Sequence, residues 1–397
     1  MLDLVRGVAA LLVCVGHWRN IFFLDFGQLK LHRLATAGFY FLSSLEHEAV
    51  IVFFVLSGYL ISGSVLRAVR REEWSWRQYA THRLVRLWIV LLPGLALCAL
   101  WDGVGLRSGL APLLYHGASG NHLVYDVSEL RGWRVLLGNV AFLQGIRVPT
   151  FGSDGPLWSL ANEFSYYVLF PLGLLAMMPK YRVWLRVGLG AAFLLVAWFV
   201  GMPVLLYFPV WLAGVVLGLL RVRELQSWVR WVCMGVYLVF VAAMTKLGVA
   251  IGRPTTATMY VADYAVMAAT VAMLWVLLSA REPSGGEIWE RISRGLARFS
   301  FTLYVSHLPA LVLLRALTGG DVRWMPDGRH MVAAIGALVV VLGYCWGVAW
   351  MTEFRTGLVR GWVERKLRVD RQGRDRGKRR VERVPAPVGS RNRLDGV

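Results

Sequence analysis

Apolar runs of about twenty residues recur along this chain, separated by short polar connections rich in arginine. Ten of them read as membrane spans, near residues 4–24, 46–66, 84–101, 157–178, 185–201, 203–220, 229–249, 259–279, 296–317 and 331–351. A further apolar piece, 135–142, is too short to cross a bilayer and reads as a re-entrant or interfacial segment. The pattern predicts an all-α polytopic membrane protein with about ten transmembrane helices in a domain covering 1–351. Beyond it the apolar pattern stops, and 352–397 reads as a basic, disordered tail.

The basic residues orient these spans. Arg67, Arg70, Arg71, Arg77 and Arg83 crowd one connection, and Lys180, Arg182, Arg186, Arg221, Arg223, Arg230, Arg281, Arg291, Arg294 and Arg298 fall on the same side. The opposite side carries only Lys30 and Arg33 in one connection and four arginines in the 55-residue stretch 102–156. By the positive-inside rule both termini are expected in the cytoplasm, as an even number of spans requires.

Composition agrees with this class and adds little to it. Hydrophobic residues make up 57% of the 397, charged residues only 17%, so the polar surface is too small to cover a soluble globule of this length. The first apolar run, Leu4 to Phe23, has no basic leader region of its own and no small-residue cleavage site, so it is expected to stay as a span. Cys14, Cys98, Cys233 and Cys345 stand alone in apolar segments and are expected to pack rather than to bind metal or form disulfides. From Thr352 onward, 14 Lys or Arg oppose 6 Asp or Glu, a net of +8. Without interleaved aromatics the run 374–380 fits contact with anionic lipid better than nucleic acid.

The candidate chemistry lies in polar residues within the spans, where each ionisable group is costly. Arg6 and His17 are eleven positions apart, 1100° of helical rotation, so they share one helix face with ~16 Å between them along the axis. Asp3 can pair with Arg6 from one turn away. His17 is a candidate general base, with a core histidine bonded to a neighbouring helix as the alternative. Ser57, Gly58 and Tyr59 interrupt the second span, where small residues also allow close helix packing. Arg83 and Arg86 stand three apart at the entrance of the third span and could grip a phosphate. Glu163 lies a turn or two inside the fourth span and needs a partner there, and His307 lies near the middle of the ninth.

Taken in order, these segments carry a resemblance. Leu2-Asp3-Leu-Val-Arg6-Gly7 through His17, Phe53-Phe54-Val-Leu-Ser57-Gly58-Tyr59-Leu-Ile, Arg83-x-x-Arg86, Trp158-Ser-Leu-x-x-Glu163-Phe and Phe299-Ser-x-x-Leu-Tyr304-x-x-His307 resemble the membrane acyltransferase-3 family, typified by O-antigen and other surface-polysaccharide acetylases. The chain departs from it at Ala49-Val50-Ile51-Val52, where the family's Gly-Val-Asp usually stands; Glu46 and Glu48 lie one to two turns earlier. The resemblance implies a multi-pass enzyme of a bacterial inner membrane that moves an acyl group, usually acetyl from acetyl-CoA, to a hydroxyl of an extracytoplasmic or lipid-linked glycan, without a metal. In that reading Arg83 and Arg86, with Ser57, Gly58 and Tyr59, bind the donor, while His17, Arg6, Glu163 and His307 serve the transfer. The 102–156 loop, with Asp102, His116, Asn121, His122, Tyr125, Asp126, Glu129, Trp133 and Asp154, is the candidate surface for a carbohydrate. Two readings compete: an acyltransferase for a small-molecule acceptor such as a macrolide, and a proton-coupled secondary transporter. The transporter predicts internal repeats, and none is evident, since the Arg6–His17 line has no counterpart near the fifth or sixth span.

Overall fold

A computed structural model describes residues 1–29, 33–117, 125–222, 224–250, 256–280, 287–319 and 321–366. The long helices are α1 (Leu2–Phe22), α3 (Glu46–Arg70), α4 (Trp76–Ser108), α7 (Trp158–Met177), α8 (Val183–Val200), α9 (Met202–Leu219), α10 (Ser227–Ala250), α11 (Thr256–Leu278), α12 (Glu287–Leu317) and α13 (Gly328–Met351). Shorter ones are α2 (Arg33–Leu42), α5 (Pro112–Tyr115) and α6 (Trp133–Val140). Among the described residues the only β pairings are two isolated bridges, Phe23 with Trp324 and Gln144 with Val148.

Each of the ten expected spans coincides with a long helix, but the helices overrun the apolar windows. Apolarity marks only the part of a helix that lies in hydrocarbon; the backbone hydrogen bonding continues into polar sequence. α4 starts at Trp76, eight residues before the expected span, capped by Ser75, whose hydroxyl accepts from Gln78 N at 3.4 Å. Among the described residues nine helical stretches are long and apolar enough to cross a membrane. The remaining expected span, α1, is not one of them, because Asp3, Arg6, His17, Arg19 and Asn20 dilute its 21 residues. The brief 135–142 piece forms the eight-residue α6, ~12 Å long and unable to cross, tied to α4 by Trp88 Nε1 donating to Val140 O at 2.9 Å. Helix α2 falls where only a connection was expected.

The expected tail also needs correction at its start. Residues 353–355 form a 3-10 turn and 356–366 are helical. Glu353 accepts from Thr302 N and Oγ1 at 2.9 and 2.8 Å, and Glu364 Oε1 lies 2.6 Å from His82 Nε2, so this stretch is fastened to α12 and α4. The rest, 367–397 with the run 374–380, lies outside the described residues.

Close helix packing sets the interior. At Gly58 a Cβ would stand 1.9 Å from Trp211 O, and at Gly214 it would stand 2.0 Å from Val55 O, so α3 and α9 touch backbone to backbone where small residues permit it. Two apolar clusters result. Val13 and Tyr304 belong to the one shared with α3, α4, α7, α9 and α11, while Cys14 and Leu303 belong to the other, which includes α13. Helices α1 and α12 therefore stand between the two. Cys14, Cys98, Cys233 and Cys345 are free thiols, with Cys14, Cys98 and Cys345 buried.

Candidate active site

Helix α1 presents its polar line to α12, which runs parallel to it. Arg6 donates through Nη2 to Ala297 O at 2.7 Å, and ten residues further along α12 His307 Nε2 lies 2.9 Å from His17 Nδ1. The two rings stack with centroids 5.1 Å apart. Gly7 makes the approach possible, since a Cβ there would stand 2.5 Å from Leu296 Cβ. The expected Asp3–Arg6 pair exists at 3.8 Å, but Asp3 is well exposed, so the pair adds little stability.

The hydrogen bonds determine which nitrogen of each neutral ring carries the proton. Leu303 O, 2.7 Å from His307 Nδ1, can only accept, so that nitrogen holds the hydrogen. His307 Nε2 is then the acceptor, and His17 Nδ1–H donates to it. In that tautomer the lone pair of His17 lies on Nε2, the form a general base requires.

Two cavities share one wall residue here. One, of about 310 Å³, is lined by His17, Glu46, His47, Tyr125, Trp158 and Tyr304 among others. The second, narrower at about 80 Å³, is lined by Arg6, Ser57, Arg86, Glu163, Tyr167 and Tyr304, with apolar residues such as Phe53 and Leu60. Tyr304 lines both. Its hydroxyl lies 3.0 Å from Pro156 O and 2.6 Å from Ser159 Oγ, which pins the ring at the junction.

Glu163 finds the partners that a carboxylate inside a membrane needs. Ser57 Oγ donates to Glu163 Oε1 at 2.5 Å, Tyr167 O–H donates to the same oxygen, and Trp211 Nε1 donates to Ser57 Oγ at 3.2 Å. Ser57 thus joins the narrow cavity, whereas Gly58 and Tyr59 face α9: Gly58 meets Trp211, and the Tyr59 ring lies 3.6 Å from where a Gly218 Cβ would be. Arg86 lines the cavity. Arg83 stands beside it, donating to Ser64 Oγ at 3.2 Å and covering the rings of Tyr79 and Tyr167 at 5.5 and 5.9 Å. The structure therefore brings Arg6, Ser57, Arg86 and Glu163 together on one side of Tyr304 and His17 on the other, with His307 behind His17.

Sequence reasoning overlooked His47 and Asp263, and gave Tyr304 no role beyond its place in the motif that ends at His307. His47 Nε2 lies 2.7 Å from Asp263 Oδ1, and Tyr207 O–H donates to Asp263 Oδ2 at 2.9 Å. The signal was present, because Asp263 is the one charged residue within α11 and Glu46-His47-Glu48 stand together at the start of an apolar span. Among the described residues of the 102–156 loop, Tyr125, Gly155 and Pro156 line the wide cavity, next to Trp158 at the start of α7. Asp102 is buried in α4, accepting from Ser153 N and Oγ at 2.8 and 2.7 Å; His116 pairs with Asp126 at the surface, and Asn121 and His122 lie outside the described residues. Among the described residues no three His, Cys, Asp or Glu side chains are grouped to hold a metal ion.

Comparison with known proteins identifies the family. Residues 1–351 match the acyltransferase-3 family, described as an acyltransferase domain. The chain is 26% identical over 323 residues to Acyltransferase MdmB of Streptomyces mycarofaciens, covering 76% of this chain and 77% of that protein. It is also 28% identical over 141 residues to an uncharacterized protein of Haemophilus influenzae, 33% of this chain and 50% of that protein, so the chain spans about half the length of that relative. No solved structure matches. With the match extending through every membrane-spanning helix, from Arg6 and His17 to His307 and α13, the chain belongs to the acyltransferase-3 family of membrane acyltransferases.

Proposed function

We propose that this membrane acyltransferase moves an acyl group, acetyl in the first instance, from cytoplasmic acyl-CoA to a hydroxyl of an extracytoplasmic or lipid-linked glycan. One observation carries the reading: the hydrogen-bonded line from Leu303 O through His307 runs to His17, which lines the wide cavity, and Tyr304 is a wall common to that cavity and the arginine-lined one. CoA phosphates cannot enter hydrocarbon cheaply, so they stay at the mouth of the narrow cavity, held by Arg83 and Arg86, while the thin pantetheine arm carries the thioester inward past Arg6 and Ser57. Gly58 and Tyr59 contribute by shaping the α3–α9 contact beside it.

The acceptor hydroxyl enters the wide cavity. His17 Nε2 takes its proton as the oxygen attacks the thioester carbonyl. A C–O bond forms, the C–S bond breaks, and the imidazolium returns the proton to the departing CoA thiolate. Positive charge on His17 is shared through Nδ1–H with His307. Arg6 lies on the same helix face and can stabilise negative charge developing on the donor side, with Glu163 fixing the Ser57–Tyr167 wall. The arginine distribution supports a bacterial inner-membrane setting with both termini in the cytoplasm, where the basic tail meets anionic lipid.

The test is transfer of radiolabelled acetyl from acetyl-CoA in membranes carrying wild type or His17→Ala, followed by extraction of lipid-linked and polymeric glycans. Label enters a glycan only with wild type, while donor binding and protein abundance persist in the variant. Label in neither sample, or equal label in both, refutes the proposal.

A further inference from the structure

The wide cavity contains a second imidazole whose surroundings repeat those of His17. His47, on α3, lines this cavity with its side chain 41% exposed, and Asp263, its partner, is only 7% exposed. An ionised carboxylate only accepts, so both short contacts to Asp263 are donations: His47 Nε2–H to Oδ1 at 2.7 Å and Tyr207 O–H to Oδ2 at 2.9 Å. The neutral His47 ring therefore has Nδ1 as its lone-pair nitrogen. One cavity is thus lined by two imidazoles, His17 tied to His307 and His47 tied to Asp263.

We infer that His47 is an acceptor-binding residue that takes a second hydroxyl of the substrate, with Asp263 and Tyr207 as its positioning residues. The inference rests on the acyl-transfer reading and narrows its substrate class. The site selects polyols that present two hydroxyls to this cavity, one for His17 and one for His47, over acceptors with a single hydroxyl. The physical argument is the worth of one hydrogen bond: the His47 ring, held in place by Asp263, can receive an O–H, and an analogue that lacks this hydroxyl forfeits that bond, a loss of about tenfold. An isolated acid on α11 is also expensive in a membrane, and the His47–Asp263–Tyr207 line gives it a task beyond tying α11 to α3 and α9.

The experiment uses the full chain in proteoliposomes with acetyl-CoA as donor and methyl β-D-glucopyranoside and its four monodeoxy analogues as acceptors. Acetylated glycoside is measured by mass spectrometry, and kcat/KM is compared across the series. Wild type prefers the parent glycoside over a deoxy analogue that retains an acylated hydroxyl by at least about tenfold. In His47→Gln and Asp263→Asn that ratio collapses to within about twofold, while KM for acetyl-CoA and the unfolding temperature stay near wild type. A purely structural tie would lower stability or all rates together and leave the ratio intact, and an intact ratio in folded His47→Gln overturns the inference. Should His47→Gln not fold, Tyr207→Phe removes one hydroxyl only; partial loss of the ratio supports the inference and no loss overturns it. Wild-type transfer to none of the five glycosides overturns the glycan reading itself, whereas transfer without discrimination overturns only the role of His47.

Discussion

His17 Nδ1 stands 2.9 Å from His307 Nε2, and His307 Nδ1 is in turn 2.7 Å from Leu303 O. The backbone carbonyl thereby dictates the tautomer of a ring on another helix. Replacing His307 by Ala removes the acceptor that holds His17 Nδ1–H, and the His17 ring can then rotate or take the opposite tautomer. Transfer is expected to fall by about 10²- to 10⁴-fold, the usual worth of a well-placed general base. Single-turnover acetyl transfer alongside acetyl-CoA binding checks this; an unchanged rate with intact binding would disconnect His307 from the chemistry.

Glu163 has a different kind of importance. Ser57 and Tyr167 both donate to its Oε1, so Glu163→Ala leaves two sequestered hydroxyls without their acceptor. A loss of ~2–4 kcal/mol of stability is expected at ~1–2 kcal/mol for each orphaned group, with Glu163→Gln closer to wild type because its amide oxygen still accepts. Denaturant unfolding in detergent measures both. If Glu163→Ala is as stable as wild type, the hydrogen bonds around it contribute nothing.

Gly58→Ala is expected to prevent folding. Its Cβ would lie 1.9 Å from Trp211 O and 2.9 Å from Trp211 C, which are backbone atoms that cannot step aside without moving α9. At Gly343 a Cβ meets no atom within 4 Å, so Gly343→Ala serves as the tolerated counterpart. The recovered amount of monodisperse protein compares the two, and equal recovery would refute the close α3–α9 contact.

Asp154 precedes α7, is fully buried, and has neither carboxyl oxygen hydrogen-bonded. Burial, with Asp102 nearby, pushes its pKa well above the usual carboxylate range. An acid whose folded pKa is raised stabilises the fold below its unfolded pKa, near 4, and loses that contribution as pH rises towards the folded pKa. The slope approaches ~1.4 kcal/mol per pH unit in that window. Asp154→Asn keeps the shape without the titration, so the unfolding temperature should decline less between pH 4 and 8 than in wild type. Parallel profiles for the two proteins would show that Asp154 is ionised without cost.

Much of the site was legible in the sequence. The Arg6–His17 spacing required a common face, and α12 receives both side chains on that face. The need of Glu163 for partners followed from the cost of a lone carboxylate in hydrocarbon, though the donors Ser57 and Tyr167 were not foreseen. Gly58 reads equally as a packing residue or a binding residue in sequence, and its place against Trp211 O depends on α9. The 102–156 loop looked suited to sugars by composition, but burial took Asp102 and Asp154 inward and left Tyr125 at the wide cavity.

By itself the sequence determined the membrane class, the helices and their approximate limits, and which residues share a face, because hydropathy and the 3.6-residue period are properties of one segment at a time. Only the tertiary structure decided that His17 meets His307, 290 positions away, that Tyr304 separates two cavities, and that His47 is paired with Asp263, 216 positions distant. Those pairings depend on which helix packs against which and at what height. Such choices are set by the summed fit of small residues such as Gly7, Gly58 and Gly214 against their neighbours, and no single segment encodes that sum.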